Sequence, residues 1–458
     1  MNKTASLERN NLTIGNPIKK LIVFSIPVLL GLLFQQLYGI VDAIIVDRTL
    51  GQVCFSAIGI TGPLLGLVLG FAQGLPAGFS IVTSQFFGAG EMEKVRKSIA
   101  TSIILCALIT VILTVISLLI TRPLLKLLNT PDKYFEYAVS YISTIFYGIG
   151  ASILYNMVAF ILRALGDSKT PLYFLLVASV LNIGSDLLFI MVFDMGIAGA
   201  GWATVLSQLL AGIACLVYMF IKYPTVRLSK KDWKTSWAFC GKHLYIGVPM
   251  GFQFSVISLG LMIQQSAINS LGDDVVTAYS AATRIENLAV QPFCALGTAM
   301  ATFSGQNYGA KQYDRLLQGV RQSLVIGVVT TVVVAAIIAM FGEEMTYWFI
   351  STATERQAQL CQQYLRYQVS FYLVLLAIYI YRNALQGMNY SSVTVVACVM
   401  ELVMRGVAAF LLVKWLGFPG ICLSNPVAWI GSDLALLPAY FIAAKKLKKQ
   451  SCNNLTKN

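Results

Sequence analysis

Charge is scarce in this sequence. Asp, Glu, Lys and Arg make up 12% of the 458 residues while 57% are hydrophobic. That is more apolar surface than one soluble core buries, so lipid must solvate the remainder. Histidine is scarcer still, with His243 the only one. Placed beside Lys242 in a basic stretch, it is expected to be a solvated interface residue rather than a proton relay. The nine cysteines are odd in number and scattered through apolar stretches, with no CxxC and no neighbouring histidine, which argues against a disulfide framework and against a metal site. HExxH, Gly-x-Ser-x-Gly and a phosphate-binding glycine loop with its lysine are all missing, so neither an enzyme nor an ATP-driven pump is expected. Residues 1–20 are polar and basic, and the apolar run after them lacks a small-residue cleavage pattern, so no removable signal peptide is expected.

What the sequence does have is uncharged stretches of about 20 residues, the length a spanning helix needs, as at 99–120 and 172–193. The runs and their breakers predict an all-α integral membrane protein with twelve transmembrane helices between about residue 18 and residue 443. The net charge of +13 is spread over short loops and does not form one soluble face, so it sets orientation in the bilayer and does not signal nucleic acid. Counting loops alternately, the set that contains both termini holds 24 of the 33 Lys and Arg. Arg163, in the loop near 163–169, and Arg382 are counted in that set. Both termini are therefore expected in the cytoplasm, which requires an even number of spans.

The chain also repeats itself. Gln85, Gly88 and Ala89 recur as Gln306, Gly309 and Ala310, Leu50-Gly51 as Leu271-Gly272, Gly166 as Gly387 and Gly196 as Gly417, each 221 positions on, and Pro27 recurs as Pro249 at 222. A constant offset over separated landmarks marks an internal duplication. The expected organisation is a six-helix lobe over 1–221, a basic linker over 222–243, a second six-helix lobe over 244–445 and a cytoplasmic tail over 446–458. With an even number of spans in each, the lobes share one orientation and substrate is expected between them. In the linker, Trp233 among Lys230, Lys231 and Lys234 predicts a segment lying on the membrane surface.

An ionisable group inside a span costs several kcal/mol unless paired or hydrated. The candidates are Asp42, Asp186, Arg284, Glu286, Glu401, Arg405 and Asp433, with Arg382 near a helix end. At about 1.5 Å per residue, Asp42, Asp186 and Thr204 all fall roughly 6 to 12 Å below the outer face, with Asn182 one turn deeper on the face of Asp186. These oxygens suit either a hard monovalent cation such as Na⁺ or a carboxylate pair sharing a proton; the plainer alternative is hydrogen bonding across helices. Glu401 and Arg405, four apart, are expected to form a local structural ion pair. Arg284 and Glu286, two apart, point to different sides of their helix and need other partners, substrate among them. Phe34, Tyr38, Phe254, Met262 and Tyr279 are of a type that more often packs than binds, although a cavity for bulky apolar cations would use such side chains. Gln35, Tyr38, Gln253 and Met262 join Arg284 and Glu286 as candidates for the wall of a substrate cavity.

These residues resemble the multidrug and toxic compound extrusion (MATE) transporters over nearly the whole chain. The likeness rests on Ile40-Val41-Asp42 followed by Leu50-Gly51, on the segment from Gln85 to Ala89, on the stretch from Arg163 through Gly166-Asp167 to Pro171, and most specifically on Asn182 and Asp186 with Gly201-Trp202-Ala203-Thr204. The resemblance implies cation or proton coupling at Asp42, Asn182, Asp186 and Thr204, and a first helix that bends near Pro27 when the site is protonated. It implies no cofactor, H⁺ or Na⁺ as coupling ion, small organic cations as substrates, and a monomer in a bacterial plasma membrane. One branch of that family carries acids on its seventh helix. Residues 249–268 hold only Gln253, Gln264 and Gln265 there, so that branch's second-lobe site is not expected. The alternative from the wider superfamily is a flippase for a lipid-linked precursor. Such a protein would line its cavity with several Arg and Lys, whereas only Arg284 and Arg405 lie well inside predicted spans.

Overall fold

The computed structural model describes residues 10–350 and 352–455, with side chains to residue 452. Among them the regular structure is entirely helical. In chain order the helices are α1 (Pro17–Leu50), α2 (Gln52–Gly88), α3 (Met92–Leu127), α4 (Asp132–Tyr147), α5 (Ile149–Ala164), α6 (Lys169–Leu187), α7 (Gly196–Lys222), α8 (Trp237–Ile268), α9 (Asp273–Gly309), α10 (Tyr313–Phe349), α11 (Glu355–Ser370), α12 (Tyr372–Gly387), α13 (Ser391–Leu416) and α14 (Phe418–Leu455). A π-helical turn, Leu188–Val192, extends α6.

Nine stretches among the described residues are long and apolar enough to cross a membrane. Two more arise as bent pairs, α4 with α5 at 47° and α11 with α12 at 50°. The 37-residue α9 is not among these: its first half carries Asp273, Asp274, Arg284 and Glu286, and its uncharged second half is diluted by Asn, Gln, Gly, Ser and Thr. The chain is a multi-pass membrane protein. The two bends, at Gly148 and Phe371, were not signalled by the hydrophobic pattern, which runs straight across them. The duplication does show in the backbone. Gly51 and Gly272, 221 apart, both cap a helix start with positive φ, 81° and 96°, a conformation that strains residues with a Cβ.

Contacts divide the chain into two compact units, the first made of residues 1–11 and 30–258 and the second of residues 12–29 and 259–458. In the first, α2 packs on α3, α4 and α5, and α7 packs on α4, α5 and α6. The interior holds Phe79, Ile99, Ile142, Phe146, Ile149 and Leu162, all essentially inaccessible. In the second, α9 packs on α10, α11 and α12, and α14 on α12 and α13, around Phe293, Phe303, Tyr364 and Tyr372.

His243 differs from expectation. It is fully buried one and a half turns into α8, with Nε2 2.8 Å from Ser98 Oγ and Nδ1 2.9 Å from the Phe239 carbonyl. Both ring nitrogens are satisfied, which removes the cost of burying a polar ring. The linker is anchored at Asp232, which accepts from the backbone and hydroxyl of Ser229 at 2.7 and 2.8 Å and lies 3.5 Å from Arg96 Nε on α3.

Candidate ion and substrate site

A cavity of about 300 Å³ lies inside the first unit, within the size range of small-molecule pockets. From α1 it is lined by Gln35, Tyr38 and Asp42, from α6 by Asn182, from α7 by Thr204 and Gln208, and from α4 and α5 by Tyr141, Asn156 and Arg163. Helical spacing puts Gln35, Tyr38 and Asp42 on one stripe of α1. Gly201 lets α7 approach α4: a Cβ there would sit 2.8 Å from Thr144 Cγ2. That approach sets Thr204 beside α6, where its hydroxyl is 3.4 Å from Asn182 Nδ2 and donates to the Ala200 carbonyl at 3.2 Å.

Asp186 is fully buried behind this wall, in the last turn of α6 before the π-helical turn. Its carboxyl is a close neighbour of the Asp42 carboxyl, and the two interact directly. Four acceptor oxygens here are buried without a hydrogen-bond donor: Asp42 Oδ1, Asn182 Oδ1 and both oxygens of Asp186. Buried acceptors are normally satisfied, so this constellation is chemically suited to a proton or a small cation. Tyr38, Tyr141 and Gln208 complete the surroundings of the two acids.

Arg163 belongs to the wall of the same cavity. The loop position assigned to it from sequence is therefore incorrect: it ends α5 and turns inward, with Phe160 under its guanidinium at 5.0 Å and Nε without an acceptor. Among the described residues no carboxylate pairs with it. Beside it, Asp167 ties the corner between α5 and α6 to the end of α7. It accepts from Lys222 Nζ at 2.8 Å, Tyr223 Oη at 2.7 Å and Thr170 Oγ1 at 2.6 Å. Burial works against its charge, yet Lys222, Thr170 and Tyr223 together hold the carboxyl below the usual carboxylate range.

The remaining candidates do not line this cavity. Gln253 and Met262 are half-buried on α8, and Arg284 is exposed on α9. Glu286 accepts from Tyr364 Oη at 2.8 Å. Glu401 and Arg405 form their i, i+4 pair at 3.0 Å, but the pair is not isolated, because Arg382 joins it at 2.7 Å. Arg382 is not a loop residue. It is buried in α12, 5% exposed, so the loop charge count wrongly included it. Pro27 lies within α1, which is helical without interruption from Pro17 to Leu50.

The family model described as MatE matches residues 27–188 and, a second time, residues 249–411. The chain belongs to the MATE family of transporters. The two matches begin 222 residues apart, as the internal repeat requires. Among curated MATE relatives, the probable multidrug resistance protein YpnP of Bacillus subtilis is 31% identical over 93% of this chain and 96% of its own length. The probable multidrug resistance protein YoeA of the same organism is 28% identical over 73% of each chain. In fold, the chain matches a solved outward-facing multidrug resistance MATE transporter of the MOP superfamily with a TM-score of 0.88, at 23% identity, over 95% of this chain and 97% of that one.

Proposed function

We propose that this MATE transporter is an antiporter in which H⁺ or Na⁺ entering the first-unit cavity drives export of organic, cationic amphipathic compounds across a bacterial plasma membrane, with both termini in the cytoplasm and the protein working as a monomer. The names of YpnP and YoeA support multidrug efflux. The observation that carries the coupling is the set of four donor-less oxygens of Asp42, Asn182 and Asp186 beside the Thr204 hydroxyl. A proton relieves the two carboxyls by joining one oxygen of each, and Na⁺ satisfies the set by taking several of the oxygens as ligands. Either ion drives a cycle only by binding one conformation better than the other, and the bend expected near Pro27 is the candidate element for that difference. Gln35 and Tyr38 supply polar and aromatic wall for a cation on the same face of α1.

Arg163 supports a narrower second reading, in which favoured compounds carry an anionic group as well as a cationic one, since a cavity-facing guanidinium pairs naturally with a carboxylate or phosphate. The deciding experiment for the main reading is ethidium efflux from proteoliposomes under separately imposed H⁺ and Na⁺ gradients, in the parent, Asp42→Asn and Asp186→Asn. Gradient-driven efflux lost in both variants is the expected result. Full activity in both removes the coupling role, and efflux indifferent to either gradient removes antiport.

A further inference from the structure

The second unit gathers five ionisable groups, Glu286, Arg382, Glu401, Arg405 and Asp433, around one buried ion-pair network. Glu401 on α13 accepts from Arg382 of α12 at 2.7 Å and from Arg405 at 3.0 Å. Arg382 Nη2 also donates to Ser432 Oγ at 2.8 Å, next to Asp433 on α14. On α9, the Oε2 of Glu286 is held by Tyr364. Tyr364 in turn accepts from Asn425 Nδ2 at 3.2 Å. Gly260 makes room for this arrangement: a Cβ there would collide with Arg405 Nη1.

The charges do not balance. Three carboxylates, Glu286, Glu401 and Asp433, face two guanidinium groups, so one negative charge is left over in a buried setting where an unpaired ion is costly. Both oxygens of Glu401 are taken by arginines, and Glu286 has a tyrosine donor and is only half-buried. Asp433 is different. It is 5% exposed, and its Oδ1 is buried with no hydrogen-bond partner. The charged and titratable groups whose fields reach it are Arg382 and Tyr381 from α12 and Glu401 from α13, and the Cys398 thiol on α13 acts on Arg382 in the same way.

We infer that Asp433 is a second proton-exchanging carboxyl, located in the second unit and independent of the acids of the first. With a proton on Asp433 the five groups sum to zero charge and Arg382 stays on Glu401. When the proton leaves to water, the bare carboxylate competes with Glu401 for Arg382, and the ties among α12, α13 and α14 shift. Each turn of the exchange is one proton bound or released at the carboxyl, with no other change in bonding.

The test is infrared spectroscopy of the purified full-length protein, titrated over the pH range in which it stays folded, for the parent, Asp433→Asn and Asp433→Glu. Asparagine has the shape of the protonated acid, and glutamate keeps the titrating group if the asparagine variant does not fold. The expected result is a carboxylic-acid carbonyl band that fades with rising pH in the parent, is lost in Asp433→Asn and is moved in Asp433→Glu. The same band persists in an Asp42→Asn/Asp186→Asn background, which separates this inference from the first-unit reading. Identical spectra in parent and variants overturn it, as does a band at Asp433 that pH does not change, since that marks a permanently protonated structural residue.

Discussion

Asn182 Nδ2 lies 3.4 Å from Thr204 Oγ1, joining α6 to α7 at the edge of the acid pair. The contact leaves Asn182 Oδ1 buried without a donor, so the amide is spending its donor on threonine while its acceptor stays open to an ion.

Thr204→Val keeps the side-chain shape and removes the hydroxyl, costing the site one oxygen and Asn182 its partner. The expected effect is about a tenfold rise in the half-saturating concentration of the driving ion, equivalent to ~1.4 kcal/mol. Ion-dependent ethidium efflux from proteoliposomes measures it, and a value equal to the parent's removes Thr204 from the ion's ligands.

Gly201→Leu drives a side chain into Thr144, where even a Cβ has 2.8 Å. Overpacking of this kind costs about 1–3 kcal/mol. The midpoint of thermal unfolding in detergent should drop by several degrees, and efflux should fall with it because α7 no longer seats Thr204. Gly406→Leu, at a glycine with open space around it, should do neither.

Asp167→Asn removes the charge that Lys222 and Tyr223 hold at the corner of α5, α6 and α7. The folded-state carboxyl titrates below its ordinary value, so its contribution is fully present above the unfolded value of about 3.9 and is lost as pH falls through the lower folded value. Parent and variant should differ in thermal midpoint by the same amount at neutral and mildly acidic pH and converge only in strong acid. A gap that closes already near neutrality contradicts the assignment. Because Lys222 is one-third exposed, water screens part of the pair, and about 2 kcal/mol is the expected cost.

Glu401→Gln leaves Arg382 and Arg405, both 5% exposed, facing each other without their shared carboxylate. Breaking a buried pair from one side costs about 3–5 kcal/mol, so this variant should unfold far more readily than Asp433→Asn, in chemical denaturation followed by tryptophan fluorescence. Equal stability of the two would mean that Glu401 does not bind the second unit together.

Much of this was legible from residue order. The uncharged runs mark the helices because lipid solvates no exposed backbone, and the landmarks 221 apart mark the duplication that Gly51 and Gly272 then express as matching helix caps. Asp42 and Asp186 were singled out by the cost of charge inside a span, and Thr204 and Asn182 joined them by depth and by i, i+4 spacing. Spacing fixes rotation only within one helix, not which faces of different helices meet. Tyr141, Gln208 and Arg163 share the cavity because α4, α5 and α7 turn particular faces inward. The only sequence hint was the lone arginine at the end of an otherwise apolar helix.

The sequence by itself determined that the chain crosses a membrane many times, that it is built twice over, and that its few intramembrane acids demand an explanation, because each follows from composition, periodicity or the cost of burying charge. Only the tertiary structure decided which of those charges meet. It placed Asp42 against Asp186, drew Arg382 from an assumed loop onto Glu401, buried His243 between Ser98 and Phe239, and left Asp433 with an oxygen unclaimed. Such meetings depend on how helices rotate and how closely small residues such as Gly201 and Gly260 let them approach, and a linear pattern does not encode that without the packing.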